Sequence, residues 1–283
     1  MRVQLRTLGC RLNEAELESW AREFQADGHQ LVAETEETDL LVFNSCAVTQ
    51  DAVRKSRNLL RKASRENPGA RIILSGCYAS HNADEAESLG VDLVIANTDK
   101  HRLVEIARER LSLTSMPAHS TAPGETALFR LGRHRAFIKV QDGCRYRCTY
   151  CIVTVARGEE RSRSIAAIVE DIQRLQAEGI QEAVLTGVHL GGYGSDTGSD
   201  LTQLIETLLA ETDLPRLRLG SLEPWDIPDR FVALFDNPRL MPHLHLPLQS
   251  GSDTVLKRMA RRCHTTEFSG LVQRLRAAVP DLN

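Results

Sequence analysis

The chain has 283 residues, 42% of them hydrophobic and 26% charged, and a formal net charge of −3. That balance suits a globular protein with room for two domains and excludes a uniformly basic RNA-coating protein. No apolar run is long enough to span a bilayer, and the opening MRVQLRTLGC lacks the apolar centre of a signal peptide. A cytoplasmic, reducing location is therefore expected. There the seven cysteines serve as metal ligands or free thiols rather than as disulfides.

From residue 1 to about 112 the pattern alternates strands and helices. Val3 to Leu8 reads as a strand, and Leu17, Trp20, Ala21 and Phe24 form a helical stripe behind it. Asp39 to Phe43 is a short buried strand, followed by a helix near Val53 to Ala63. Arg71 to Leu74 and Val91 to Ile95 are two more strands, and Leu103 to Leu111 a closing helix. This rhythm predicts a doubly wound parallel α/β sheet. Cys10, Cys46 and Cys77 each fall just past the carboxyl end of a strand. Those ends share one edge of a parallel sheet, where ligand sites of open α/β folds form. Three cysteines distant in sequence are thus expected to converge as a three-thiolate cluster site. The bland alternative is three small buried apolar residues. Arg54, Arg57, Arg61 and Arg65 share one face of the second helix, either as an RNA contact or as a solvated surface.

Residues 112–127, rich in Ser, Thr, Pro and Gly, read as a boundary. The predicted domains are 1–112 and 130–283, joined by a linker over 113–129. In the second, Ala136 to Val140 is a strand that runs into Cys144-Arg145-Tyr146-Arg147-Cys148-Thr149-Tyr150-Cys151. A disulfide leaves one of these three thiols over, and a zinc site wants four ligands. Three thiolates on a [4Fe–4S] cluster with one open iron account for the C-x3-C-x2-C array best. The helix at Ile165–Leu175, the strand Ala183–Thr186, the helix at Leu201–Leu209 and the strand Arg216–Gly220 follow. A short helix at Phe231–Phe235, a strand at His243–Leu248 and helices at 253–262 and 267–278 complete the chain. Four βα units predict a barrel or part-barrel with functional residues on the loops after the strands. Gly191, Gly192 and Gly194 would allow close backbone approach to a ligand. His243 and His245 would line a cavity or fill the core, and Cys263 has no evident role. Between Arg130 and Arg163 there are eight Arg and one Lys against Asp142, Glu159 and Glu160, a local excess suited to phosphate.

With both thiol sets placed, the sequence resembles the methylthiotransferases of the radical S-adenosylmethionine (SAM) superfamily. The matching motifs are Leu8-Gly9-Cys10-Arg11-Leu12-Asn13, Asn44-Ser45-Cys46-Ala47-Val48-Thr49, Ser75-Gly76-Cys77-Tyr78-Ala79, the Cys144–Cys151 array, Ala156-Arg157-Gly158 with Arg161-Ser162-Arg163, and His245-Leu246-Pro247-Leu248-Gln249-Ser250-Gly251-Ser252. Gln141-Asp142-Gly143-Cys144, Leu185–Gly191 and Ser221-Leu222-Glu223-Pro224 look most like the subgroup acting on N6-threonylcarbamoyladenosine at tRNA position 37. Other subgroups act on isopentenyladenosine in tRNA or on an aspartate of a ribosomal protein.

The resemblance implies two [4Fe–4S] clusters and SAM as both radical source and methyl donor. Cys144, Cys148 and Cys151 would hold the cluster that cleaves SAM, so that a hydrogen is taken from C2 of the adenine. Cys10, Cys46 and Cys77 would hold an auxiliary cluster that delivers sulfur. Tyr150 would pack near the SAM adenine, with Gly187, Glu223, Gln249 and Ser250 holding SAM and Arg157, Arg161 and Arg163 meeting tRNA phosphate. The implied partners are tRNA, an electron donor such as a flavodoxin or ferredoxin, and a sulfur source, with no membrane. Family members continue beyond the position of Asn283 into further barrel and an RNA-gripping β-domain, so the barrel is expected to be incomplete and truncated at its C-terminus. Thr154 stands where a proline is common. A two-cluster electron-transfer or sensor protein and a zinc-bearing RNA-binding module are the competing readings.

Overall fold

This computed structural model describes residues 1–113 and 135–283, and within them the chain forms two compact units. The first holds residues 1–113 together with Val155–Arg157, and the second holds 135–154 and 158–283. The expected linker over 113–129 lies outside the described residues except for Leu113, which is buried in the first unit.

The first unit is a five-stranded sheet in the order β2-β1-β3-β4-β5, with every pairing parallel. Its elements are β1 (Arg2–Thr7), α1 (Arg11–Ala26), β2 (Gln30–Leu31), β3 (Leu40–Ser45), α2 (Gln50–Glu66), β4 (Arg71–Gly76), α3 (Cys77–His81), α4 (Ala83–Glu87), β5 (Leu93–Ile95) and α5 (Leu103–Arg110). Every residue of β3 is buried, as a central strand covered on both faces requires. Alternation sorts its side chains between two cores. Leu40 and Val42 join Val3, Ile73 and Ile95 under Leu17, Trp20 and Phe24 of α1 and Leu103 and Ala107 of α5. Leu41 and Phe43 join Ile72 and Leu74 under Leu60 and Ala63 of α2 and Tyr78 of α3. Helices on both faces are the doubly wound arrangement the alternation predicts. Burying each large apolar side chain contributes roughly 1.5–3 kcal/mol, so this two-sided core holds the sheet edge rigid.

The second unit begins with β6 (Arg135–Lys139) and β7 (Gln141–Asp142). α6 (Val153–Arg157) follows; its last three residues group with the first unit. β8 (Arg161–Ser162) pairs antiparallel with β7. Then come α7 (Ile165–Ala177), β9 (Glu182–Thr186), α8 (Leu201–Glu211), β10 (Arg216–Leu219), α9 (Asp253–Arg258) and α10 (Thr265–Ala278). The main sheet runs β10-β9-β6, all parallel. β9 is buried throughout, while α7 turns Ile168, Ile172 and Leu175 inward and α8 turns Leu204, Ile205 and Leu208 inward.

The strand expected at His243–Leu248 does not form. Within it His245 makes an isolated parallel bridge to Ser221, just past β10, and Leu240, ahead of the stretch, makes another to Leu217 of β10. Pro242 and Pro247 have no N–H to give a ladder, and the Leu244 N–H donates instead to the Asn283 carbonyl at 2.9 Å. The short helix near Phe231 is a 3-10 helix over Asp229–Asp236. Among the described residues no helix is long and apolar enough to cross a membrane.

Candidate iron–sulfur sites

The three N-terminal cysteines arrive at neighbouring strand ends. Register places Thr7 opposite Asn44 and Ser45 opposite Gly76, so β1, β3 and β4 end together. Cys10 follows as the N-cap of α1, Cys46 stands one residue after β3, and Cys77 opens α3. Gly76 has φ +99°, and a Cβ there would meet the Ser45 carbonyl oxygen at 2.3 Å. Only glycine lets the backbone cross this closely while delivering Cys77 beside Cys46.

Side-chain hydrogen bonds hold this edge. Asn13 Nδ2 donates to the carbonyls of Leu8 (3.1 Å) and Ser45 (3.2 Å), joining the Cys10 and Cys46 loops. Ser56 Oγ donates to the Cys46 carbonyl at 3.0 Å and accepts from its N–H at 3.2 Å. Asn97 Nδ2 approaches Cys77 Sγ at 3.8 Å. Cys46 and Cys77 are 8% and 4% exposed, whereas Cys10 is open to solvent. Burial pushes the Cys46 thiol up, and Cys77 and Cys10 act in the same direction.

The second set sits on the loop between β7 and α6. Cys144 N–H donates to the Gly158 carbonyl at 3.1 Å, Thr149 N–H to the Met259 carbonyl at 3.2 Å, and Thr149 Oγ1 to the Arg258 carbonyl at 2.9 Å. The loop is thereby pinned to the end of α9. Burial raises the Cys144 thiol to about 11, and nearby Glu160, Cys151 and Cys148 act in the same direction. Burial also raises Cys151. All seven cysteines are free.

Arg261, which the sequence reading passed over, organises the remaining expected residues. Its Nη2 donates to Glu223 Oε2 at 2.6 Å and to the Pro247 carbonyl at 2.7 Å, and its guanidinium stacks over Trp225 at 4.5 Å. Its Nη1 lies 4.0 Å from Cys148 Sγ. Tyr150 is 48% exposed and feels Arg261, Cys148, Glu223 and Cys151. Glu223, Tyr150 and the cysteine loop are thus brought together. Gln249 is exposed, in the left-handed region at φ 78°, and Ser250 Oγ accepts from the Ser252 N–H at 3.2 Å. Gly187 lies against Gln141, whose Oε1 would stand 2.9 Å from an added Cβ.

A second group was also missed. His189 is 2% exposed, with Nδ1 2.5 Å from Glu160 and Nε2 2.5 Å from Asp226. Burial acts to lower its pKa, but the hydrogen bonds to Asp226 and Glu160 outweigh it and hold the imidazole above its ordinary value. Cys144, Glu160 and His189 offer ligand atoms within 4.8 Å of one another. An added Cβ on Gly192 would meet His189 Nδ1 at 2.3 Å, and one on Gly191 would meet Asp226 Cβ at 2.6 Å. These glycines, expected to admit a ligand, make room for this histidine and its carboxylates. His189 follows β9 and Asp226 follows β10, so the strand-end logic that located the cysteines applied to them too, whereas Glu160 stands just ahead of β8.

The three arginines expected to meet phosphate differ. Arg161 is exposed. Arg163 donates to Asp171 at 2.7 Å and to the Lys139 carbonyl at 3.1 Å. Arg157 is 4% exposed, and its guanidinium donates to Asn13 at 2.8 Å and to Glu16 at 3.2 Å. A phosphate cannot reach it without breaking that buried pairing, so the expectation for Arg157 is corrected here.

Residues 2–96 match Uncharacterized protein family UPF0004, and residues 138–282 match the Radical SAM superfamily. The threonylcarbamoyladenosine tRNA methylthiotransferase MtaB of Thermotoga maritima is 36% identical over 287 residues, covering 99% of this chain and 66% of the relative. That of Rickettsia prowazekii is also 36% identical, covering all of this chain and 67% of the relative. The chain belongs to the radical SAM methylthiotransferases. It spans about two thirds of the length of these curated relatives. The fold resembles the radical SAM methyltransferase TsrM of Kitasatospora setae, with a TM-score of 0.63 at 15% identity, covering 98% of this chain and 65% of that one.

The cysteine sets of this methylthiotransferase fit iron–sulfur clusters by their chemistry. Each offers three soft thiols, and each has an N–H donor aimed at a sulfur, Asn97 at Cys77 and Arg261 at Cys148. Such donors stabilise cluster thiolates. Around a single zinc ion, bonds of about 2.3 Å would draw thiolates to about 3.8 Å apart. Among the described residues neither cysteine triad is within 4.8 Å throughout.

Proposed function

We propose that this chain carries the cysteine sites of an enzyme that methylthiolates C2 of N6-threonylcarbamoyladenosine at position 37 of tRNA. The observation that carries the reading is the pair of three-thiol sets, one at a sheet edge and one on a barrel loop, each with an N–H donor at sulfur. The relatives' names and the Gln141-Asp142-Gly143 and Ser221-Leu222-Glu223-Pro224 motifs support the substrate.

Cys144, Cys148 and Cys151 would hold one [4Fe–4S] cluster, and Cys10, Cys46 and Cys77 a second. Reduced clusters of this kind supply one electron to SAM and a site for transferable sulfur. Radical chemistry is required because C2 of a purine carries no readily ionised proton, so acid–base groups alone cannot open that bond. The protein's part is to bind, orient and exclude water. Tyr150 would lie along the adenine of SAM, and burial of part of its ring raises the pKa of its phenol. Glu223, oriented by Arg261, would accept hydrogen bonds from SAM, and Gly187, Gln249 and Ser250 would line the same cofactor. The His189 imidazole, gripped by Glu160 and Asp226, would brace the Cys144 loop beneath it. Arg161 and Arg163 would meet tRNA phosphate, with Arg161 the more accessible. A one-electron donor such as a flavodoxin or ferredoxin and a sulfur source complete the reaction.

Nucleoside mass spectrometry of tRNA from cells lacking the protein tests this reading. The methylthio form of threonylcarbamoyladenosine should disappear and return with the restored gene. Its persistence while methylthio-isopentenyladenosine vanishes would move the activity to that substrate.

A further inference from the structure

The motif Ala156-Arg157-Gly158 follows the second cysteine set in sequence, yet Val155–Arg157 belongs to the first unit. Arg157 is buried there, with Nη1 donating to Glu16 Oε1 at 3.2 Å and Nη2 to Asn13 Oδ1 at 2.8 Å. Glu16, itself 4% exposed, accepts from Lys100 Nζ at 2.6 Å and from Asn44 Nδ2 at 3.0 Å. The neighbouring Ala156 carbonyl accepts from Asn97 Nδ2 at 2.6 Å, the same nitrogen that approaches Cys77 Sγ.

Asn13 is the point of leverage. Its Nδ2 ties the Leu8 and Ser45 carbonyls, which flank Cys10 and Cys46. Its Oδ1 accepts from Arg157 and lies 3.7 Å from Cys10 Sγ. A cysteine bound as thiolate has no S–H to donate, so on metal binding Arg157 remains as a donor to that oxygen. A donor there fixes which way the amide faces, and with it the tie between the two cysteine loops. The guanidinium also brings a permanent positive charge to this buried edge, one side chain away from Cys10 through Asn13.

We infer that Arg157 is a positioning residue for the N-terminal cysteine site: through Asn13 it holds the Cys10 and Cys46 loops in register, and its charge raises the reduction potential of the cluster those thiolates bind. The inference rests on the proposed iron–sulfur reading of that triad. Loss of the charge makes addition of an electron less favourable, so the potential falls. Lysine in its place keeps the charge but lacks the planar fork that reaches Asn13 and Glu16 together.

The test uses the full chain with Cys144, Cys148 and Cys151 replaced by alanine, so that only the N-terminal site is read. The parent and its Arg157→Gln, Arg157→Lys and Asn13→Ala versions are reconstituted anaerobically with iron and sulfide. Iron per chain, the electron paramagnetic resonance spectrum of the reduced form, the midpoint potential and the thermal midpoint of the iron-free protein are measured. Arg157→Gln should retain less than half of the parent's iron and shift its potential downward. Arg157→Lys should keep the potential near the parent's while altering the spectrum, and Asn13→Ala should lose iron with the charge still present. Arg157→Lys keeps the buried charge beside Glu16 and guards against simple misfolding of the glutamine variant. Iron content, spectrum and potential unchanged in folded Arg157→Gln and Arg157→Lys would overturn the inference. A parent that binds no iron would overturn both it and the cluster reading beneath it.

Discussion

In the first unit, cysteines at positions 10, 46 and 77 reach adjacent ends of β1, β3 and β4, and two of them are buried. In the second, cysteines at 144, 148 and 151 share one loop, where Cys144 and Cys148 are half-buried and Cys151 is exposed. The first site is placed by the sheet itself, so its geometry carries the stability of a two-sided core. The second is placed by loop hydrogen bonds to Gly158, Arg258 and Met259 and by Arg261 against Cys148. A sheet-edge site should tolerate little backbone change, and a loop site should fail by losing side-chain supports while the fold survives.

Replacing the thiols has the largest expected effect and separates the two roles. Cys148→Ala should reduce 5′-deoxyadenosine formation from SAM more than 100-fold with the fold intact by circular dichroism. Cys77→Ala should leave that formation within a few-fold of the parent yet abolish methylthiolation of tRNA; equal loss of both activities would erase the division of labour.

Backbone change at the sheet edge comes next. Gly76→Ala forces a Cβ against the Ser45 backbone at a left-handed φ and should destabilise the first unit by more than ~2 kcal/mol in denaturant titration. A neutral result would mean that the β3–β4 crossing is not tightly held. On the loop side, Asp226→Asn weakens the grip on the buried His189 imidazole and should cost about 1–3 kcal/mol, read as a lower thermal midpoint of the second unit.

The smallest effect is a pH slope confined to the first unit. His29 is 2% exposed, and burial holds its pKa below the ordinary histidine value. The unfolded chain then binds a proton that the folded chain refuses, so stability is fully present above the unfolded pKa of about 6.5 and falls as the pH drops below it. His29→Leu should flatten this slope in thermal melts between pH 7 and 5, and an unchanged slope would assign it to other groups.

Much of the fold was readable because its cores are periodic. β3 reads as an unbroken apolar run because both faces are covered, and Leu17, Trp20 and Phe24 mark the inner face of α1. The strand-end positions of Cys10, Cys46 and Cys77 followed from chain order alone, since parallel strands must end on one edge. His243–Leu248 misled because apolar alternation says nothing of donors, and with Pro242 and Pro247 around it the stretch keeps one isolated bridge, at His245. Arg157 misled for a different reason. A charged residue in a basic stretch reads as solvent-facing, and its buried partners Glu16 and Asn13 lie more than 140 positions upstream. His189 was hidden among glycines whose purpose was visible only once its ring filled the space they leave.

Iron counting tests the central claim most directly. The anaerobically reconstituted chain should hold about eight iron atoms, as two four-iron clusters require. Replacing either cysteine triad by alanine should leave about four, with visible absorption near ~400 nm from thiolate–iron charge transfer. A parent with four iron atoms that keeps all of them when Cys10, Cys46 and Cys77 are removed would contradict the account, as would bound zinc without that absorption.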